Sequence, residues 1–224
     1  MEVLSSVLEW FRDPANWAGS TGVPARMLEH IYISFLSVGM SAVVALPAAL
    51  YIGHAKRAEF LVVSVANLGR AIPSFAILAI MLPITIRMGL GLGFWPTVIA
   101  LFLLGIPPIL TNTYVGVQGV DADTIEAARG MGMTGGQILR KLEVPLAAPL
   151  IVAGFRTALV QVIATATLAA LVAWGGLGRF IIDGFAVRDD ARIAAGAILV
   201  AALAIAAELS FGLVQKLFAV RLHR

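Results

Sequence analysis

Long apolar segments, separated by short polar stretches, dominate the pattern of hydrophobic and polar residues along the chain. A helix needs roughly 20 mostly apolar residues to cross the hydrocarbon core of a bilayer. Five segments reach or approach this length: residues 28–53, 60–86, 93–113, 147–173 and 194–217. The pattern therefore predicts an all-α, polytopic membrane protein with five transmembrane helices, whose membrane domain covers residues 28–217.

The two ends of the chain differ from these spans. Residues 1–27 place Trp10, Phe11 and Trp17 among charged residues, prolines and glycines. They lack the basic start, apolar centre and small-residue cleavage site of a signal peptide. We expect residues 1–27 to form an external, interfacial arm and residues 218–224 to form a basic cytoplasmic tail.

A polar segment at residues 121–149, called the elbow below, separates the third and fourth spans and predicts two short helices joined by a turn. Asp123 and Glu126 have the spacing of a capping box, which predicts that Asp123 caps the first helix. Gly130 and Gly132 offer stops for this helix, because glycine adopts the backbone conformations that end helices.

The second helix of the elbow has its own start and stop. Thr134 and Gln137 repeat the capping-box spacing, which predicts a helix from about Gly135 to Glu143. Pro145 should push the residue before it out of helical geometry. We expect the elbow to be a helix-turn-helix on the membrane surface.

Composition removes whole classes of function. Hydrophobic residues make up 60% of the 224 residues and charged residues 13%, far from the balance of a soluble domain. The absence of cysteine excludes disulfides, thiolate metal sites and cysteine nucleophiles. The histidines at positions 30, 54 and 223 are scattered, so no metal site is predicted. The net charge of +3 comes from Lys and Arg at the ends of apolar segments, so no nucleic-acid partner is expected.

Lys and Arg near the span ends also indicate the orientation, because cytoplasmic loops carry an excess of both. With five spans, one side of the membrane holds eight of them and the other side six. The excess is small, but Lys56, Lys141 and Lys216, together with the elbow, all lie on the first side. We expect the amino terminus outside and the carboxyl terminus in the cytoplasm.

The fourth span carries a polar stripe. Thr157, Gln161 and Thr165 recur every four residues and therefore share one helix face, which is unfavourable against lipid. The stripe is typical of a translocation path and equally of hydrogen bonding between packed helices.

Prolines interrupt the first three spans at Pro47, Pro73, Pro83, Pro107 and Pro108. Such prolines kink membrane helices, for packing or for a path that opens and closes.

Arg70, Arg156 and Glu208 lie within spans, where isolated charges are costly and usually face protein or pair. Counted from the expected cytoplasmic ends at about 1.5 Å per residue, Arg156 and Glu208 both lie at a depth of roughly 12 Å. We therefore expect Glu208 to pair with Arg156 or with Arg70.

A spaced motif runs through the elbow. It consists of Glu126, Ala127, Ala128, Gly132, Leu142 and Pro145. Its spacing resembles the cytoplasmic coupling loop of type I ABC importer permeases throughout. In that family the loop docks into a groove on the ATPase and carries its closing motion to the membrane helices. The resemblance implies that these six residues couple the chain to an ATPase.

Two further segments resemble permeases of the osmoprotectant group. One contains Ile72, Pro73 and Ser74, and the other is the Gly-Gly-Leu-Gly segment at residues 175–178, which permeases for betaine-type osmoprotectants carry. Permeases for methionine carry a looser form of the second segment. With the polar stripe, Pro73 and Ser74 are candidate residues of the translocation path.

The resemblance covers most of the chain and implies the membrane subunit of an ATP-driven importer for a small osmoprotectant such as glycine betaine, carnitine or choline. Such a subunit is not an enzyme and needs no cofactor of its own. The sequence has no phosphate-binding loop motif, so ATP and Mg²⁺ should be bound by a separate cytoplasmic ATPase dimer. A second permease subunit, identical or paralogous, an external substrate-binding protein and the lipid bilayer of a bacterial or archaeal cytoplasmic membrane complete the expected partners.

Three alternatives remain open at this point. The first is a permease of a related ABC importer for methionine or another amino acid. The second is an ATP-independent secondary transporter, although the chain shows no convincing internal repeat and only Glu208 as a carboxylate deep in a span. The third is an intramembrane enzyme, although paired Asp, Ser-His and metal-binding constellations are lacking.

Overall fold

A computed structural model describes residues 2–57 and 59–221, with side chains described for all of these except residues 2, 3, 70 and 217–221. The described chain is all-α, as predicted. Its α-helices are α1 (Glu2–Arg12), α2 (Val23–Ala55), α3 (Glu59–Ala71), α4 (Ser74–Arg87), α5 (Phe94–Gln118), α6 (Ala122–Gly130), α7 (Gly135–Ile138), α8 (Val144–Thr165), α9 (Gly178–Val187) and α10 (Asp190–Arg221). Two 3-10 helices, Pro14–Trp17 and Ala166–Val172, and one π-helical turn, Leu139–Glu143, lie between them.

Four stretches of the described chain are long and apolar enough to cross a membrane. They are Val23–Ala55, Phe94–Gln118, Gly135–Val172 and Asp190–Lys216. A fifth span is present if the pair Glu59–Gly69 and Ser74–Arg87, bent by 85°, is taken as one. The prediction of five spans is confirmed in this form, and its second span is a broken helix.

Pro73 explains the break in the second span. It adopts an extended conformation (φ −63°, ψ 124°) just before α4 begins, and it has no N–H to continue α3. The other prolines predicted to interrupt spans lie inside helices that continue through them: Pro47 in α2, Pro83 in α4, and Pro107 and Pro108 in α5. A break is therefore confirmed at Pro73, and kinks at the other four prolines stay a prediction.

The centre of the bundle consists of α2, α5 and α8, whose buried faces share one core. Ile33, Ile109 and Leu159 are among its most deeply buried side chains, one from each helix. A side-chain contact ties α2 to α5, because the Ser41 hydroxyl lies 2.7 Å from the carbonyl of Phe102 and shares its one hydrogen between this carbonyl and that of Ser37 in its own helix, 2.8 Å away.

The amino-terminal arm is helical and packs against the bundle. Trp10 on α1 meets Phe180 on α9 edge to face, with ring centroids 5.3 Å apart, and shares a core cluster with Leu177 and Leu199. The helix α2 begins at Val23, inside the range 1–27 predicted for the arm. At the other end α10 runs through Arg221, and residues 222–224 of the predicted tail lie outside the described residues.

The elbow lies at one end of the bundle and the glycine loop, residues 174–178, at the other. Two neighbouring residues of α2 hold this loop: Glu29 accepts from the N–H of Gly176 at 2.7 Å, and His30 Nδ1 accepts from the N–H of Leu177 at 3.2 Å. The other ring nitrogen of His30 donates to the carbonyl of Ile163 on α8 at 2.9 Å. His30 is fully buried, and all of its hydrogen-bonding capacity is used.

Candidate functional site

The first elbow helix begins earlier than predicted. Asp121, not Asp123, caps α6: its backbone is extended (φ −53°, ψ 132°) and its carboxylate accepts from the N–H of Thr124 at 3.0 Å. This hydrogen bond to the charged form lowers the pKa of Asp121. The capping box predicted from Asp123 to Glu126 is wrong, because Asp123 already lies in the first helical turn and a cap must precede it.

The turn after α6 depends on Gly132. The helix ends at Gly130, and Gly132 has a φ of +82°, which side-chain-bearing residues rarely adopt. Open space surrounds the position that a Cβ at Gly132 would occupy, so its constraint is conformational and not steric. The prediction that glycines end the first elbow helix is confirmed.

The second elbow helix has the predicted cap and an unpredicted continuation. Thr134 and Gln137 form both halves of the capping box, at 3.4 and 2.9 Å. After Ile138 the chain widens into the π-helical turn and enters α8 without a break, where the N–H of Val144 bonds to the carbonyl of Leu139. Val144 is helical (φ −62°, ψ −46°), so the prediction that Pro145 ends the helix is wrong. Pro145 lies in the first turn of α8, where a missing N–H is tolerated.

The elbow has a small core of its own. Val120, Ile125, Ala128 and Ile138 are buried together, with Met133 and Leu142 packed against them. The other motif residues, Glu126, Ala127, Gly132 and Pro145, are exposed. The motif thus divides into residues that hold the elbow together and residues available to a partner.

A groove of about 710 Å³ runs between the elbow and the end of α2. Its charged and titratable lining residues are His54, Lys56, Glu126, Arg129 and Glu143. Among the described residues, none forms an ion pair with Glu126. Glu143 differs, because it is only 2% exposed and its carboxylate lies 2.6 Å from Nδ1 of His54.

His54 and Glu143 were missed by sequence reasoning. Glu143 follows the motif residue Leu142 but is not itself part of the motif, and His54 lies 89 residues earlier in the chain. The available signals were a histidine at the end of a span and an acidic residue among the apolar residues Leu142, Val144 and Pro145. Neither signal identifies the other residue as its partner.

A second cavity, of about 440 Å³, lies among α3, α4, α5 and α8. It brings together four of the five residues predicted for the translocation path: Pro73, Ser74, Thr157 and Gln161. Thr111 and Asn112 of α5 add polar groups, and the described lining residues carry no formal charge. The fifth predicted residue, Thr165, lines a small neighbouring pocket that shares Ser74.

Pro107 and Pro108 contribute to this cavity in a way that the sequence only partly indicated. Neither has an N–H, so the carbonyls of Leu103 and Leu104 lose their usual helical donors. Leu104 and both prolines line the cavity. Backbone carbonyls without helical donors are tolerated inside a membrane where they face protein or a water-filled space.

Arg156 on α8 pairs with Glu208 on α10, as predicted. Arg156 also donates to the side-chain carbonyl of Gln215 at 3.2 Å. The alternative partner, Arg70, has a side chain outside the described residues. The ion pair connects α10 to α8 on the flank of the bundle.

Comparison with solved structures places this arrangement of helices among ABC importers. A chain of the inward-facing MetNI methionine ABC transporter has a TM-score of 0.75 at 22% identity, covering 85% of this chain and 93% of that one. A chain of an amino acid ABC transporter has a TM-score of 0.67 at 20% identity, covering 88% and 92%. At these identities the likeness concerns the fold, which is that of a type I ABC importer permease.

The chain belongs to the family of binding-protein-dependent transport system inner membrane components, whose model matches residues 41–224. It is 40% identical over 177 residues to a glycine betaine/carnitine/choline transport system permease protein of Bacillus subtilis, covering 79% of each. It is 40% identical over 184 residues to a carnitine transport permease protein of Listeria monocytogenes, covering 82% of each. An osmoprotectant import permease protein of Salmonella typhimurium is 36% identical over 177 residues, 79% of this chain and 82% of that protein.

Membership of this family has direct consequences. The chain is a multi-pass inner-membrane permease subunit, and it transports a solute rather than catalysing a reaction. Permeases of this type work with an ATPase and a substrate-binding protein.

The Arg156–Glu208 pair leads to a prediction about assembly. Glu208→Arg should lower the amount of folded protein in the membrane severalfold, because two cations then face each other in an apolar setting. Combining it with Arg156→Glu should restore much of the loss, since the pair is re-formed with its charges exchanged. Membrane levels measured by immunoblot and size-exclusion profiles provide the test, and Glu208→Gln is the milder control. Equal losses in the single and double variants would contradict the pairing.

Proposed function

We propose that this chain is the membrane-spanning subunit of an ATP-driven importer for a small osmoprotectant such as glycine betaine, carnitine or choline. The observation that carries the proposal is 40% identity, over four fifths of both chains, to a permease that serves these three solutes in Bacillus subtilis. The alternative, import of methionine or another amino acid, has support only from folds that are about 20% identical.

The chemistry of the 440 Å³ cavity supports the proposal. Betaine and carnitine are zwitterions with a quaternary ammonium group, and choline is a cation. The described lining offers hydroxyl and amide groups from Ser74, Thr111, Asn112, Thr157 and Gln161. A neutral polar path provides no strong electrostatic trap for either type of solute, so release can follow entry.

The exposure of the path residues argues for a second permease subunit, identical or paralogous. Pro73, Thr157 and Gln161 are exposed although they lie at the centre of a membrane domain. Polar side chains at this position are costly against lipid. A second permease facing this side would enclose the cavity between two subunits.

The surface of the elbow is consistent with docking onto a cytoplasmic ATPase dimer that holds ATP and Mg²⁺. Its outward-facing motif residues and the 710 Å³ groove form a surface of mixed charge at one end of the bundle. With the elbow in the cytoplasm, the amino terminus lies outside and the carboxyl terminus inside. The glycine loop then lies on the external side, where a substrate-binding protein delivers the solute.

The solute is tested by transport. Proteoliposomes that contain the permease with its ATPase, supplied with its binding protein, should accumulate labelled glycine betaine, carnitine or choline when ATP is present. Methionine should neither accumulate nor compete. Accumulation of methionine without any quaternary amine would overturn the assignment and favour the amino-acid alternative.

Coupling is tested at the turn of the elbow. Gly132→Ala forces a side chain into a left-handed conformation at a cost of roughly 1 to 2 kcal/mol, so ATP hydrolysis stimulated by loaded binding protein should fall severalfold. The matched control is Gly130→Ala, which has helical geometry and open space around its Cβ and should leave coupling near the wild-type level. Wild-type coupling in both variants would argue against the elbow as the coupling element.

The proposed translocation path is tested by introducing bulky side chains into the cavity. Trp in place of Thr157 or Gln161 places a bulky ring in the 440 Å³ cavity and narrows it, and should reduce uptake at least severalfold at matched expression. Ile205→Trp on α10 is the control, because Ile205 is exposed and does not line the cavity. If all three variants transport equally, the polar stripe serves packing alone.

A further inference from the structure

The end of α2 is joined to the elbow by a side-chain hydrogen bond that the family motif does not include. His54, in the last turn of α2, has Nδ1 2.6 Å from Oε2 of Glu143. An ionised carboxylate only accepts, so His54 donates through Nδ1 whether or not its other nitrogen is protonated. Glu143 is 2% exposed, and a buried carboxylate that loses its partner is strongly unfavourable.

The histidine ring also contacts the start of the second elbow helix. A Cβ at Gly135 would lie only 3.2 Å from Nε2 of His54, so the backbone of α7 packs directly against the ring. His54 therefore touches both ends of the segment from Gly135 to Glu143. The segment between them contains the π-helical turn, a feature that occurs mostly at functional sites.

The surrounding charges do not replace this pair. Lys56, Arg129 and Glu126 line the same groove, but all three are exposed. Among the described residues, only His54 pairs with Glu143. The His54–Glu143 contact thus stands alone, and within it the His54 side chain is partly exposed to the groove whereas Glu143 is buried.

Two routes lead from the elbow to the walls of the 440 Å³ cavity. The first is direct, because the π-helical turn continues into α8, which carries Thr157 and Gln161. The second runs through His54 to α2, which holds α5 by the hydrogen bond from Ser41 to Phe102. α5 carries Thr111 and Asn112, on another wall of the cavity.

At the other end of the bundle, α2 is also bonded to α8. His30 of α2 donates to the carbonyl of Ile163 on α8. His30 and His54 are 24 residues apart on one helix, a distance of about 36 Å. Near its start α2 is therefore bonded to α8, and near its end it is bonded to the elbow.

We propose that the His54–Glu143 pair is a positioning joint that stays closed during transport and makes α2, and through it α5, move with the elbow. Without the joint, displacement of the elbow by the ATPase would reach α2 and α5 only through their packing against α8, and the cavity wall on α5 would follow the elbow less closely. The inference rests on the proposed coupling function of the elbow. It adds two residues to that function, neither of which touches the solute.

The first test separates coupling from assembly. In the reconstituted transporter with its ATPase and binding protein, His54→Leu should lower solute imported per ATP hydrolysed roughly tenfold, since a buried charge-assisted hydrogen bond is lost. Co-purification of the ATPase should be unchanged. His54→Asn keeps a donor near the position of Nδ1 and should restore most of the coupling. Tyr51→Leu, one turn earlier and 74% exposed, is the matched control.

The second test uses the absence of cysteine in the chain. His54→Cys with Glu143→Cys should be poorly coupled, and a short thiol-reactive bifunctional crosslinker that joins the two should restore coupling. A cleavable crosslinker makes the effect reversible. A crosslink that blocks transport would overturn the proposal, because the joint would then have to open.

The outcomes distinguish this inference from the proposed function. If His54→Leu or the uncrosslinked double variant couples normally while Gly132→Ala does not, the joint is refuted and the role of the elbow stands. If Gly132→Ala also couples normally, the coupling function of the elbow fails as well. Loss of coupling in both His54→Leu and His54→Asn, with no rescue by the crosslinker, would show a structural role only and would also overturn the proposal.

Discussion

Polar side chains on one helix, α2, bond to the segments at both ends of the bundle. Within an apolar bundle there is little water to replace a lost partner, so each buried hydrogen bond is costly to break. At one end of α2, the buried His30 and the partly exposed Glu29 accept hydrogen bonds from N–H groups of the glycine loop. At the other end, His54 donates to the buried carboxylate of Glu143. The positions of both the loop and the elbow therefore depend on α2.

The part of the bundle formed by α3 and α4 is built differently. Their axes are bent by 85° at Pro73, and α3 meets α5 where a Cβ at Gly69 would lie 2.1 Å from a ring carbon of Pro107. The cavity lies along this boundary, between the bent pair and the tightly bonded centre. A firm wall on one side and a broken helix on the other are suited to a path whose width changes.

The sequence predicted features that depend on local or averaged properties. Hydropathy predicted the spans, because crossing a bilayer requires a minimum apolar length. The Thr134–Gln137 capping box was predictable because both partners lie within one helical turn. The pairing of Glu208 with Arg156 or Arg70 was predictable because similar depth restricts the available partners, and the structure shows the pair with Arg156.

Features that require a choice between equal options, or a contact across the fold, were not predictable. Asp121 and Asp123 offer the same carboxylate, and only the onset of helical geometry decides which one caps α6. The rule for residues before proline predicted a helix end at Pro145, but proline is also accepted in a first helical turn. His54 and Glu143 are 89 residues apart, and neither belongs to a recognisable pattern by itself.

The glycines of the glycine loop are constrained by the structure around them. A Cβ at Gly175 would lie 1.9 Å from a carboxylate oxygen of Glu29, and one at Gly178 would lie 2.2 Å from the carbonyl of Thr167. Gly176 has a φ of +86°. Gly178 is thus required by the backbone of Thr167 and Gly176 by its own backbone conformation, independently of any solute, whereas the contact at Gly175 is with the end of a flexible side chain. Because these constraints belong to the architecture, we expect a permease of this fold with a different cargo to keep the conformation of this segment and to differ in the side chains around the cavity.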